Sequence, residues 1–326
     1  MTVLSLIDVP KIPVGDSLQD FFDWLTKNFS GFFDAVSNVI GSAVDGLISV
    51  LEAPDPVILA LVFAFVGLLT KGWKFAVASL LGLVLIISME QWAAAMQTLA
   101  LVLVSTLVAV LIAIPTGVLA ARRRWASAAL RPVMDLMQTM PAFVWLVPVV
   151  TLFSIGVVPG VVATIIFALP PGVRLTELGI RNVDPEVVEA ANAFGSTPRQ
   201  TLFGVQLPLA LPTIMAGVNQ VIMLSLSMAV ISGLVGAEGL GGQVTTAIST
   251  LDLGLGFEAG LSVVILAIYL DRVTASVGQG MGGGGRRGFW LRRPRPSAPE
   301  EEDSPLDGGE KESPAVAEIG PVKIGG

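Results

Sequence analysis

The fold of this chain is decided by residues 187–195, VVEAANAFG, and by residues 196–200, STPRQ, which follow them directly. They form the one long polar interval between hydrophobic segments. Asp184 before Pro185 has the pattern of a helix N-cap with proline at the first helical position. Gly195 suits the left-handed residue that ends a helix, and Thr197 with Gln200 suits a capping box that starts another. The stretch therefore predicts a helix, a glycine break and a second helix.

The first of these helices is expected to be about three turns long with one apolar stripe. The stripe lies at i, i+3, i+4 and i+7 and consists of Val187, Ala190, Ala191 and Phe194. A compact hairpin with small alanines on this stripe suits insertion into a groove of another protein. An amphipathic loop packed on its own protein has the same pattern, so the residues alone leave both interpretations open.

Composition predicts a polytopic membrane protein, because 53% of the 326 residues are hydrophobic and 14% are charged. Cysteine and histidine are both absent. Their absence excludes thiol nucleophiles, disulfides, thiolate or imidazole metal sites and histidine acid/base catalysis. We expect no metal site, no cofactor bound by this chain and, given a net charge of −7, no nucleic-acid partner.

Seven hydrophobic segments predict about seven transmembrane helices in an all-α fold. They lie near residues 57–70, 75–89, 93–121, 133–153, 157–170, 211–236 and 257–277. Nine basic residues fall in alternate connections, and the connections near 90–92, 154–156 and 237–256 have none. By the positive-inside rule, the N-terminus is predicted outside, and the C-terminus and the hairpin are predicted in the cytoplasm.

The two ends differ from the predicted membrane domain, residues 56–277. Residues 1–55 have the spacing of an amphipathic helix on the outer membrane surface, with acidic residues dominating. The glycines of residues 236–242 predict a re-entrant turn. Residues 278–326 combine glycine, arginine, proline and glutamate and are predicted to be a disordered cytoplasmic tail.

A polytopic membrane protein of this composition could belong to one of three function classes. An ion-coupled secondary transporter needs charges within the membrane, and no acidic or basic residue lies in the middle of a predicted span. An integral-membrane enzyme would depend on Glu177 or Asp271 alone. The third class is the membrane half of an ATP-driven importer. The chain lacks a phosphate-binding Walker A sequence, so ATP would be hydrolysed by a separate subunit.

Sequence motifs favour the third class. Glu189-Ala190-Ala191, Gly195 and Leu207-Pro208 resemble the EAA signature of ABC importer permeases. Further segments are similar to the permease subunit of glycine betaine/proline (osmoprotectant) importers. These segments are residues 138–143 (QTMPAF), 166–171 (IFALPP), 207–220 (LPLALPTIMAGVNQ) and 265–272 (ILAIYLDR). The resemblance runs from about residue 91 to residue 278.

The resemblance implies a type I ABC importer permease fold in a prokaryotic cytoplasmic membrane, with its core at about residues 91–277. It implies two ATPase subunits that bind ATP and magnesium, an external substrate-binding protein and a second permease copy, giving a homodimer. The hairpin, residues 171–210, would couple to the ATPase. The coupling residues so implied are Glu189, Ala190, Ala191, Phe194, Gly195, Leu207 and Pro208.

A translocation path is expected along the span that follows the hairpin, because that span would move with it. Hydroxyl, amide and thioether groups offer weak contacts to a zwitterion, and aromatic faces bind its ammonium group. The candidates on this span are Asn219, Gln220, Met223, Ser225 and Met228, and the aromatic candidates, Phe143 and Trp145, lie in the predicted segment 133–153. Interhelical packing explains the same spacing, so the sequence leaves the path open.

Overall fold

The computed structural model describes residues 14–281, which form thirteen α-helices. In chain order they are α1 Val14–Asn28, α2 Ser30–Glu52, α3 Pro56–Lys71, α4 Trp73–Ser88, α5 Trp92–Arg122, α6 Arg124–Thr139, α7 Leu146–Phe153, α8 Val157–Arg181, α9 Pro185–Ala193, α10 Pro198–Thr201, α11 Leu207–Ile231, α12 Leu240–Thr250 and α13 Leu253–Met281. Two 3-10 turns, Ala142–Trp145 and Ser232–Val235, and one π-helical turn, Leu202–Gln206, lie between them. The predicted tail lies outside the described residues from residue 282 onward.

The helices confirm an all-α membrane protein and change the number of spans. Five helical stretches within residues 14–281 are long and apolar enough to cross a membrane: Ser30–Glu52, Trp92–Arg122, Val157–Arg181, Pro198–Val235 and Leu253–Ser276. A bent pair, α6 with the 3-10 turn and α7, makes up to six. α3 and α4 are apolar but only 16 residues each, shorter than a straight span of about 20 residues.

The predicted segment 133–153 is not one continuous span. Its two helices are bent by 106° at a short break. The break follows from Pro141, because the residue before a proline avoids the helical region, and Met140 is extended at φ −71° and ψ 135°. Segment 157–170, by contrast, continues as helix to Arg181, through the buried Pro170. The helix therefore extends eleven residues beyond the predicted end of this segment at residue 170.

The N-terminal segment consists of two helices where the sequence predicted one. They meet at Phe29, whose φ of −121° and ψ of 22° are not helical. Ile40, Val44 and Leu51 of α2 are buried in the main hydrophobic core, which α5 also lines. α2 also meets the length and hydropathy requirements of a span. The placement of α2 on the membrane surface therefore stays a prediction.

The centre of the fold is a tight bundle of α5, α8 and α11, the helices with the most extensive mutual contacts. Small residues allow this approach, as is usual for helices in membranes. A β-carbon on Gly172 of α8 would lie 2.8 Å from the Ala113 side chain on α5 and 3.1 Å from Val221 on α11. The three helices therefore meet at Gly172, and the hairpin between α8 and α11 stands on this bundle.

The glycine-rich connection after α11 forms the predicted turn. Gly236 and Gly239 have φ of 82° and 101°, values that suit glycine. The turn is followed by α12, a helix that the sequence did not indicate. The Leu240 backbone N–H donates a 2.8 Å hydrogen bond to Oγ1 of Thr98 on α5, so the start of α12 is held against the bundle.

Candidate functional site

The hairpin predicted from the EAA-like motif is present between α8 and α11. Because α8 reaches Arg181 and α11 begins at Leu207, the connection proper is residues 182–206, shorter than the predicted 171–210. Asp184 Oδ1 accepts a 2.9 Å hydrogen bond from the Glu186 backbone N–H. This N-cap, with Pro185 at the first helical position, starts α9 where the sequence predicted it.

Gly195 ends α9 in the predicted left-handed conformation, with φ of 82°. The Ser196 N–H donates to the Ala191 carbonyl at 3.1 Å, and the Gly195 N–H donates to the Asn192 carbonyl at 2.9 Å. These two bonds make a Schellman motif, which satisfies the last carbonyls of the helix. The four-residue separation of Ala191 and Gly195 therefore allows Gly195 to end α9 and to reverse the direction of the chain.

The second helix of the hairpin starts with the predicted capping box. Thr197 and Gln200 each bond the other's backbone N–H. The helix then runs into α11 through the π-helical turn, where the Leu207 N–H donates to the carbonyl of Leu202, five residues back. Pro208 explains this turn, because proline has no N–H for the carbonyl four residues earlier and clashes with it in an α-helix. The leucine-proline pair thus joins hairpin to span.

One face of the hairpin packs against its own protein. Val183, Val188 and Leu202 contact a small apolar cluster that includes Ile180 of α8 and Ile214 of α11. Thr201 Oγ1 also donates a 3.3 Å hydrogen bond to Asn192 Oδ1, which joins the two hairpin helices. The hairpin is therefore anchored on both α8 and α11.

The predicted apolar stripe lies mostly on the open side. Phe194 is 91% exposed and Val187 is 41% exposed; Ala190 is exposed and Ala191 half-buried. An isolated phenylalanine side chain in water is a cost to the free protein, which burial in a partner would remove. This exposure favours a hairpin that inserts into a groove of another protein, which we call the hairpin plug, over an amphipathic loop packed on its own chain.

The Glu189 carboxylate is exposed and has no hydrogen bond or ion pair with any residue in 14–281. It lines a cleft of about 380 Å³ together with Arg122 and Arg181. Arg181 is already paired with Glu177 at 2.8 Å and donates to the Ala120 carbonyl at 2.9 Å. Glu189 is therefore available to a donor on another chain.

The candidate path residues divide between two faces of α11. Gln220 and Met223 are exposed, and the exposed Ser227 continues their face. Ser225 and Met228 are fully buried, and Met228 packs against Leu146, Val149 and Ala163. The sequence treated the candidates of both faces as one group, but in a single protomer only the face with Gln220 and Met223 is accessible from outside the bundle.

Two aromatic candidates lie at the bend between α6 and α7, in the 3-10 turn that contacts α11. Phe143 is 59% exposed. Trp145 is half-buried and donates a 3.3 Å hydrogen bond from Nε1 to the Met137 carbonyl. Phe143 therefore offers an open aromatic face beside α11, whereas Trp145 is held in place by its own indole N–H.

Sequence reasoning missed several residues that shape the site. It placed Val187 on the stripe but did not identify Val188 as the anchor. It did not foresee the Thr201–Asn192 bond or the contact of Asn219 with Asp271, whose side chains lie 2.9 Å apart between α11 and α13. Spacing along one helix shows faces, whereas these contacts depend on how separate helices pack.

Known proteins that are similar to this chain agree with the resemblance to importer permeases. The family described as "Binding-protein-dependent transport system inner membrane component" matches residues 113–282. The glycine betaine transport system permease protein of Bacillus subtilis strain 168 is 46% identical over 269 residues, covering 82% of this chain and 95% of that protein. The glycine betaine/proline betaine transport system permease protein of Escherichia coli strain K12 is 45% identical, covering 87% of this chain and 80% of that protein.

A solved structure agrees on the fold. A chain of the MetNI methionine ABC transporter, in an inward-facing structure, matches with a TM-score of 0.51 at 24% identity, covering 58% of this chain and 94% of that chain. At this identity the likeness shows the fold alone, a type I ABC importer permease. With the motif, the hairpin and the relatives together, the chain belongs to the binding-protein-dependent inner membrane transport family, in its branch of glycine betaine/proline (osmoprotectant) ABC importer permeases.

Proposed function

We propose that this chain forms the translocation path of an ATP-driven importer and couples that path to a separate ATPase subunit through residues 182–206. The observation that carries the proposal is the exposure of Phe194 at the tip of a capped and anchored hairpin. A rigid apolar projection fits a groove on another protein. Glu189, five residues before Phe194, supplies a charge for which residues 14–281 offer no ion-pair partner.

The substrate class proposed is compatible solutes of the glycine betaine and proline type. The relatives from Bacillus subtilis and Escherichia coli, which are permease proteins of glycine betaine and of glycine betaine/proline betaine transport systems, support it. So does the chemistry of the exposed α11 face, because amide, thioether and hydroxyl groups bind a zwitterion weakly enough to release it. The exposed ring of Phe143 adds a surface that attracts quaternary ammonium groups.

The assembly proposed contains two permease copies, two ATPase subunits and an external substrate-binding protein. Two copies of this chain would present two hairpins to two ATPases. ATP and magnesium would be bound by the ATPase, and the basic connections would place the hairpin in the cytoplasm. The permease itself would carry no catalytic residue.

The test is substrate-stimulated ATP hydrolysis in the reconstituted complex with Phe194→Ala, Glu189→Lys and Glu189→Gln. Because Phe194 and Glu189 are exposed, the variants should fold normally while stimulation falls, most strongly with the reversed charge. Phe65→Ala is the matched control, since Phe65 of α3 is 58% exposed and lies far from the hairpin in sequence. Parental stimulation with both Phe194→Ala and Glu189→Lys would reject the coupling role.

A further inference from the structure

A second charged feature lies beside the hairpin. A hollow of about 450 Å³ is lined by Arg122, Arg123 and Arg199, with Leu119 contributing apolar surface. Arg122 ends α5 and Arg123 follows it, whereas Arg199 belongs to the hairpin's second helix. Two separate segments of the chain thus bring three guanidinium groups to one opening.

These three arginines are not neutralised by any residue in the part of the chain that the structure describes. All three are exposed, and within residues 14–281 none has an ion pair or a side-chain hydrogen bond. The neighbouring arginines differ: Arg174 is paired with Asp135, and Arg181 is paired with Glu177. Carboxylates are therefore available in this region, but no acidic residue lines the hollow.

Three like charges around one concave surface concentrate positive potential there. An anionic group entering the hollow would be attracted by all of them.

We propose that this hollow receives acidic side chains of the ATPase subunit, as a second, electrostatic contact next to the hairpin plug. The inference rests on the proposed coupling function. The ATPase is the expected partner because Arg199 lies on the same hairpin as Phe194, so a protein that covers the exposed Phe194 would also reach Arg199. Arginine is well suited to this contact, because its guanidinium binds carboxylates in a bidentate way.

The hairpin plug and the arginine hollow are expected to contribute to this interface in different ways. Apolar burial of Phe194 depends little on salt, whereas exposed charge pairs are screened as ionic strength rises. Rim charges chiefly set the rate of association and its salt dependence. The hollow is therefore expected to guide and strengthen attachment of the ATPase without taking part in the transmission of movement.

The experiment measures how much ATPase subunit stays on tagged, full-length permease in a neutral detergent as NaCl is raised. Arg199→Glu and the double variant Arg122→Glu/Arg123→Glu are compared with Arg131→Glu, an exposed arginine that lines a different hollow and is also unpaired. We expect about three- to tenfold weaker attachment at low salt for the hollow variants. Their salt dependence should be flatter than that of the parent, and Arg131→Glu should behave as the parent.

Three outcomes overturn the proposal. The first is attachment that is the same for Arg199→Glu, Arg131→Glu and parent while all elute as folded permease. The second is loss of attachment by Arg199→Glu at every salt concentration with the parental salt slope, which makes the residue a packing contact. The third is normal attachment in detergent with a defect only in nanodiscs containing phosphatidylglycerol, which assigns the hollow to lipid headgroups. The coupling function fails by a different readout, unchanged ATPase stimulation in the Phe194 and Glu189 variants.

Discussion

The side-chain amide of Asn219 donates a 2.9 Å hydrogen bond to Oδ1 of Asp271, which joins α11 to α13 across 52 residues of sequence. Asn219 Oδ1 is buried without a partner among the described residues, so the bond to Asp271 satisfies only the donor side of the amide. The second Asp271 oxygen lies 3.9 Å from Nε of Arg272. The last span is thereby tied to the span that continues from the hairpin.

Removing one partner of this bond should destabilise the permease. Asp271→Ala leaves the amide N–H of the half-buried Asn219 without its acceptor, at an expected cost of about 1 kcal/mol. Asn219→Leu/Asp271→Leu should cost less than the sum of the two single changes, because no polar group is stranded. Thermal unfolding of the purified protein measures both, with Glu258→Ala on the same helix as control. Additive effects would show that the pair does not interact energetically.

Gly195 should be sensitive to a β-carbon for conformational reasons alone. Its φ is 82°, and nothing lies within 4 Å of the added atom. Gly195→Ala should therefore cost about 1 kcal/mol and reduce stimulation of ATP hydrolysis. Gly204→Ala is the matched control, since Gly204 is in the same hairpin, also has open space and has no positive φ. Equal melting temperatures for the two variants would contradict the strain argument.

Bulky residues on the open face of α11 should block uptake. Met223→Trp and Ser227→Trp are expected to leave complex yield and ATP hydrolysis intact, because both positions are exposed in the protomer. Ser225→Trp should instead lower the yield, since a fully buried serine has no room for an indole. Val264→Trp on α13, 50% exposed, is the control. Parental uptake by both open-face variants would place the path along another helix.

Membrane orientation can be tested directly because the chain has no cysteine. Single cysteines at Gln19 and Thr250 should react with an impermeant maleimide in intact cells, whereas one at Ala128 should be protected. All three positions are exposed. Ala128 is preferred to Ser127, whose hydroxyl donates to Glu177 and is buried. Labelling of position 128 with protection of position 250 would reverse the predicted orientation.

The hairpin was predictable because its signals are local. Asp184, Gly195 and the Thr197–Gln200 pair each act within a few residues, so their chemistry specifies a cap or a break wherever the helix packs. The anchored face was not predictable, because choosing Val188 over Val187 requires knowing where α8 and α11 lie. Local rules thus gave the elements, and tertiary packing decided their orientation.

The prolines of the spans also show that some structural features follow from local sequence and others from tertiary packing. Before Pro141 the chain breaks by the rule that the preceding residue avoids the helical region. At Pro170 the helix continues, because its surroundings in the bundle are closely packed and the missing hydrogen bond is tolerated within protein. Hydropathy could not separate these two cases, since both segments are predominantly apolar in sequence.

The π-helical turn before Pro208 has a mechanical consequence. From Pro198 to Val235 the chain runs as one 38-residue helical rod, about 55 Å long at 1.5 Å per residue. The ATPase would displace the hairpin end of this rod, and the rod would turn about its contact with Gly172 in the bundle. Val221, which packs on Gly172, lies 23 residues after Pro198 and 14 residues before Val235, so the arm on the hairpin side is the longer one and a displacement of the hairpin tip reaches the opposite tip reduced. The widened turn, Leu202–Gln206, lies within this longer arm, so a displacement of the hairpin reaches the bundle through a place where the rod departs from α-helical winding.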